Sequence, residues 1–402
     1  MIKKINRKLI RNFLTIRYNP EDKPLIPNTT WKELISINSD PNGIRTQKIL
    51  EESIQKKYSD VDVIAISLSG GIDSSVTLGL LRKCFPKKKI VGITGVFEGK
   101  YDESPTAKKI ASNFDVKFKT VKMDSIFTTM PKIISISKKP RWNTYQHLVT
   151  KEAKNFSDTL ITGDGADEIF AGYVFRYKKF MNLYRPKNNW LVKTINYLEC
   201  HNRDWVPDQE TLFGRRINFD WKEIYHYFKP YFSNSLSPLQ QVVLADFNGK
   251  LIYDFIPTAK AIGEFYNCNI SSIFLDPQVI SYGHSLRMSD KYDVKQNKGK
   301  LVIRKIAKRL GVKHLDEKRG FSPGLYFDWK QKGKKICESI LLDESSHIYT
   351  QKIINYNWII RSFEKVENDG DIRYLNRLIS ILALEIWYRV FYTKEISGSK
   401  KL

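Results

Sequence analysis

The chain has 402 residues, 42% of them hydrophobic, and 67 Lys and Arg stand against 43 Asp and Glu for a formal net charge of +24. Such a chain can bury a substantial core in one large domain or two coupled ones. Lys and Arg interrupt the first residues and no apolar run reaches the length of a membrane span, so no leader or transmembrane anchor is expected and a soluble, cytoplasmic protein is predicted.

Residues 1–44 read as an N-terminal extension in which Pro20, Pro24 and Pro27 mark loops, followed by a helical lead-in through Ile49, Leu50 and Ile54. Between about residues 58 and 180 strand and helix patterns alternate, with strands expected near 62–68, 90–97, 116–121 and 159–162. That alternation predicts an α/β fold, a parallel sheet flanked by helices, with nucleotide bound at the strand carboxyl ends. Past Tyr173 the pattern turns mainly helical and aromatic-rich, ending in a helix over about 370–393. The expected plan is an extension (1–44), an α/β core (45–180), a helical part (181–393) and a tail (394–402). Cys84, Cys200, Cys268 and Cys337 are widely separated and form no CxxC pair, so neither a zinc knuckle nor a disulfide framework is suggested. Among the scattered histidines, His147 precedes an acidic loop and reads as a satisfied residue rather than a site residue.

The apolar run Val63 to Leu68 leads into Ser69-Gly70-Gly71-Ile72-Asp73-Ser74-Ser75, and Val76, Leu80 and Cys84 then recur at four-residue spacing. This is a strand, a phosphate loop and a helix. Adjacent glycines let the backbone approach an anion, the helix N-terminus points N–H groups at it, and three serine hydroxyls add donors. Instead of the Walker A lysine the loop carries Asp73, which suits a magnesium ion bridging phosphate oxygens.

A second strand-and-turn runs Leu160-Ile161-Thr162-Gly163-Asp164-Gly165-Ala166-Asp167-Glu168. Its three carboxylates lie within five residues and repel one another unless a cation or proton relieves them. A magnesium nucleotide is the expected relief, with Asp167 as the second protein ligand beside Asp73.

Together these segments resemble the PP-loop ATP pyrophosphatases and, among them, the synthetase half of the asparagine synthetase B family. Further matches are Phe97-Glu98, Tyr101-Asp102-Glu103-Ser104, Phe274-Leu275-Asp276, Lys300 to Arg304, Glu317-Lys318-Arg319-Gly320-Phe321-Ser322-Pro323 and Leu382 to Tyr388, spanning roughly 45–393. The resemblance implies adenylation of a carboxylate by ATP and Mg²⁺ with loss of pyrophosphate, then displacement of AMP by an amine. It implies nucleotide binding by Leu68, Ser69, Gly70, Gly71, Asp73, Ser74, Ser75, Val96 and Gly163, metal binding by Asp73 and Asp167, and catalysis by Lys318 and Asp164. Lys318 would stabilise developing charge and Asp164 would orient or deprotonate the amine. The simplest substrates are aspartate and ammonia. Because the chain begins Met1-Ile2, without the family's nucleophilic cysteine after the initiator, glutamine hydrolysis would fall to a separate glutaminase subunit.

On the acceptor side the chain departs from the family pattern: Ser271 stands where an arginine is expected, which removes a planar bidentate partner. Amide formation on another small-molecule or peptide carboxylate therefore stands as the alternative. The charge of +24 adds a tRNA-modifying PP-loop enzyme as a rival. Against it, the lysines are spread along the chain, and clusters such as Lys87-Lys88-Lys89 are short enough to be solvated faces. A catalytically silent nucleotide-binding subunit is disfavoured by the presence together of Asp73, Asp167 and Lys318.

Overall fold

The computed structural model describes residues 6–98, 102–143, 145–201, 203–313 and 324–402. Five strands, β1 (Val63–Ser67), β2 (Lys89–Val96), β3 (Lys117–Lys122), β4 (Thr159–Thr162) and β5 (Asn269–Ser272), form a parallel sheet in the order β3-β2-β1-β4-β5. The first four lie within a residue of their expected bounds. β1, at the centre, buries Ile64, Ala65 and Ile66 completely. Helices on both faces explain why it reads as an unbroken apolar run rather than an alternation. At one edge β3 exposes Lys117, Lys119 and Lys122, charges that oppose further strand pairing.

The opposite edge strand, β5, was not expected. Its sequence, Asn-Ile-Ser-Ser, has neither an aliphatic run nor a clean alternation, and it becomes a strand by pairing Leu160 with Ile270 and Ile161 with Ser271.

Among the described residues the first eight α-helices are α1 (Arg7–Ile16), α2 (Ile44–Tyr58), α3 (Ile72–Cys84), α4 (Ser104–Asn113), α5 (Met130–Ser137), α6 (Gln146–Lys154), α7 (Ala166–Ile169) and α8 (Val174–Leu183). In α3, Val76 and Leu80 are fully buried and Cys84 half-buried, as their spacing requires; the helix packs against α2 and the Leu301–Arg309 helix. The apolar face of α1, with Ile10, Phe13 and Leu14 buried, is used by the chain's own core, where α1 meets the Ile372–Phe391 helix.

Past Tyr173 the chain is mainly helical, apart from β5 and a small hairpin, β6 (Tyr292–Asp293) and β7 (Lys298–Gly299). A helical segment kinked at Gly249, where φ is −100° and ψ −119°, runs from Pro238 to Tyr266 through π turns over Phe247–Phe255. It brings Asp254 and Thr258 to Arg141, whose guanidinium pairs with the Asp254 carboxylate and donates to the Thr258 hydroxyl at 2.7 Å. The four cysteines carry free thiols. Among the described residues no helix is long and apolar enough to cross a membrane.

Candidate active site

At the carboxyl end of β1 the Ser69–Ser75 turn is held by its own polar groups. Leu68 N donates to Ile93 O at 2.9 Å, Ser69 N to Ser74 Oγ at 3.1 Å and Gly71 N to Ser69 Oγ at 3.1 Å. The Ser75 hydroxyl donates to Gly71 O at 2.7 Å, and the side chains of Ser74 and Ser75 are buried. The sequence suggests three hydroxyls as donors to phosphate; within the protein, the Ser74 and Ser75 hydroxyls also hold the loop's own backbone. What the turn presents to an anion is the first-turn N–H groups of α3, which begins at Gly71 as N-cap, and the positive end of that helix.

One strand over, β4 ends at Thr162 and its glycine turn packs directly on this loop. A Cβ on Gly163 would lie 3.0 Å from Asp73 Cβ and 3.5 Å from Ser74 N, so the close approach of the two turns depends on glycine. Gly165, at φ 91°, then turns the chain into α7.

The three carboxylates diverge. The Thr162 hydroxyl donates to Asp164 Oδ2 at 2.8 Å, and the Tyr173 hydroxyl to Glu168 Oε1 at 2.5 Å. Asp167 turns to Lys300, whose Nζ lies 2.6 Å from Asp167 Oδ1 and 2.5 Å from Asp73 Oδ2. Within the protein, each of the three carboxylates thus has a different partner. Burial raises the pKa of Asp164 against the opposing pull of the Thr162 hydroxyl and Arg141.

Lys300 follows β7 at φ 57° and caps the Leu301–Arg309 helix, while its N–H donates to Phe170 O at 3.1 Å. Burial works against its charge, but Asp167 and Asp73 outweigh that cost and raise its pKa. A Cβ on Gly172 would overlap the Asp167 carboxylate and the Lys300 stem, so a bare glycine walls this contact. Asp73 and Asp167 therefore frame one cation-sized position. Magnesium is bound by one or two carboxylates together with substrate phosphates, so this oxygen pair fits the ion as part of its ligand set. Among the described residues no group of three or more His, Cys, Asp or Glu forms a complete protein cage.

Val96 closes β2 at the same end of the sheet, its carbonyl accepting from Met123 N at 2.8 Å. Beside it lies a cavity of about 140 Å³ lined by Phe97, Met123, Tyr145, Phe327 and Asp328, with Phe97 edge-on to Tyr145 at 4.7 Å. Lys318, the rest of 314–323 and Tyr101 lie outside the described residues. His147 is buried and stacked on Tyr266, with Nδ1 3.2 Å from that hydroxyl. Burial lowers its pKa to about 4, so it is a neutral core residue.

The structure adds Lys300, Gly172 and Arg141 to the residues read from the sequence. Lys300 had drawn notice only as a family match, and neither Gly172 nor Arg141 carries a signal at the level of local sequence.

A family model described as asparagine synthase matches residues 45–389. The asparagine synthetase [glutamine-hydrolyzing] 1 of Bacillus subtilis is 21% identical over 407 residues, covering 90% of this chain and 62% of that protein. A putative asparagine synthetase [glutamine-hydrolyzing] 2 of Methanocaldococcus jannaschii is 32% identical over 136 residues, 32% of this chain and 26% of that protein. The chain thus spans less than two thirds of the length of these curated relatives. Among solved structures, an NMN synthetase from Francisella tularensis aligns at a TM-score of 0.27 and 15% identity, over 57% of this chain and 94% of that chain.

Proposed function

The chain belongs to the asparagine synthase family, and we propose that it is an ATP-dependent carbon–nitrogen ligase that adenylates a carboxylate, releases pyrophosphate and then forms an amide. The observation that carries this reading is the convergence of the Ser69–Ser75 turn and the 162–168 turn at adjacent strand ends, with Asp73 and Asp167 on one Lys300 ammonium.

In this reading the amides at the start of α3 and the loop residues Leu68 to Ser75 hold the nucleotide phosphates, with Gly163 permitting the approach. The cavity beside Val96 and Phe97 receives the adenine. Bound Mg²⁺ supplies positive charge to the leaving pyrophosphate, and Asp73 and Asp167 are the residues that hold it. Lys318 is assigned, from the family resemblance, to stabilising charge that develops on the reacting groups. Asp164, with its raised pKa, is the base that takes a proton from the incoming amine. Aspartate is the first acceptor and ammonium the smallest nucleophile. A second reading, another carboxylate, is favoured by Ser271, whose hydroxyl lies 2.8 Å from the Tyr58 hydroxyl where the family pattern has an arginine.

Incubation with Mg²⁺, ATP, aspartate and ammonium should yield AMP, pyrophosphate and asparagine in equal amounts. Asp73→Asn should lower AMP formation about 100-fold or more, the scale of losing an electrostatic stabiliser. If aspartate fails and another carboxylate supports AMP release, the second reading holds. If no carboxylate does so in protein that binds ATP, the ligase assignment is wrong.

A further inference from the structure

Between the Ile256–Tyr266 helix and the outer edge of the sheet at β5 lies a groove of about 400 Å³ that ends at Thr162 and Asp164. Its walls are largely apolar, with Ile256, Ala259, Gly263, Ile270 and Leu275 among them, and Lys260 and Glu264, paired at 3.7 Å, stand at its exposed rim. A second hollow of about 370 Å³ shares Leu25, Lys260 and Glu264 and continues to the Lys139–Asp22 pair. Ammonia needs roughly the space of one water, about 30 Å³, whereas pockets of roughly 300–1,000 Å³ take substantial organic ligands.

The group that reaches the inner end is set by charge. Arg141, itself paired with Asp254, offsets only part of the Asp164 charge, so a carboxylate arriving directly beside Asp164 meets a like charge and an ammonium an opposite one, while burial raises the proton affinity of Asp164. Where the family resemblance places an arginine, Ser271 is small and turned to Tyr58, so β5 brings no cation to this end.

We propose that, beyond ammonium, the site takes as nitrogen substrate a primary amine on an apolar stem, of amino-acid-amide size, which enters along this groove and presents its amine to Asp164. The inference rests on the amide-ligase reading. In the step, the Asp164 carboxylate takes one proton from the R–NH₃⁺ group, and the nitrogen lone pair forms the C–N bond to the acyl carbon. The acyl C–O bond to the AMP phosphate breaks with its electron pair leaving on AMP, and the second nitrogen proton passes to solvent.

The test is calorimetric titration of the full chain with L-leucinamide, n-hexylamine and ammonium, alongside AMP release with each. Both organic amines should bind saturably and at least ten-fold more tightly than ammonium. Ala259→Trp, which fills the groove, should weaken them at least ten-fold while leaving ATP binding and ammonium-supported AMP release unchanged. Ala259→Lys, which adds a like charge, should do the same, and thermal melts verify that both variants fold. The proposal is overturned if neither amine binds, or if both variants bind them as the wild type does. Amine binding that both variants weaken, in a protein that releases no AMP with any carboxylate, keeps the groove as an amine site and removes the ligase reading instead.

Discussion

Lys300 contributes an ammonium that two carboxylates from distant loops share in a largely buried setting. Replacing it by methionine keeps the stem's packing but removes that charge, and breaking a buried pair from one side costs about 3–5 kcal/mol. Lys300→Met should therefore lower the unfolding free energy by roughly that amount in urea titration. Added Mg²⁺ should restore part of the loss, since it supplies positive charge at the same oxygens. Unchanged stability in the variant would contradict the clasp. The sequence placed Asp73 and Asp167 through their glycine turns, because such turns have local signatures. Lys300 has none, since only the folded chain carries it beside residues numbered 73 and 167. The serines of the first turn were legible as loop residues, but their hydrogen bonds to the loop's own carbonyls were not, since these depend on carbonyl positions that sequence does not display.

The Ile256–Tyr266 helix rides closely on β5 at Gly263, where a Cβ would fall 2.6 Å from Cys268 O. Helix propensity alone favours alanine over glycine by about 1 kcal/mol. Crowding against a backbone oxygen instead costs about 1–3 kcal/mol in a packed interior. Gly263→Ala should thus lower the melting temperature, and a higher one would show that helix and strand move apart freely. β1 to β4 were readable because apolar β-branched runs between glycine turns mark buried parallel strands. β5 was not, because its Asn-Ile-Ser-Ser sequence gains strand structure only from its neighbour, and the helix covering it ends at Asn267 with φ 50° just before the strand starts. The groove went unread for the same reason, being made by two elements whose contact no periodicity announces.

The whole molecule carries +24 charges, and self-repulsion on this scale weakens the compact state at low salt. Within that field Lys291 is 1% exposed, and burial, opposed by Asp290, lowers its pKa from 10.5 to about 7. Between those values the unfolded chain binds the extra proton, so stability rises with pH, by up to about 1.4 kcal/mol per pH unit. Measured in 0.5 M salt to screen the general repulsion, the curve should climb from about pH 7 and flatten above about pH 10.5, and Lys291→Met should remove the climb. Identical slopes in both proteins would refute it. The contact between α1 and the Ile372–Phe391 helix has a bearing on biosynthesis. The two are separated by about 350 residues of chain. At roughly 5–20 residues per second the oily face of the first helix waits on the order of 20–70 s for its mate to be made. Throughout that interval Ile10, Phe13 and Leu14 are a standing invitation to chaperones, and this part of the native architecture closes only once the Ile372–Phe391 helix has been made.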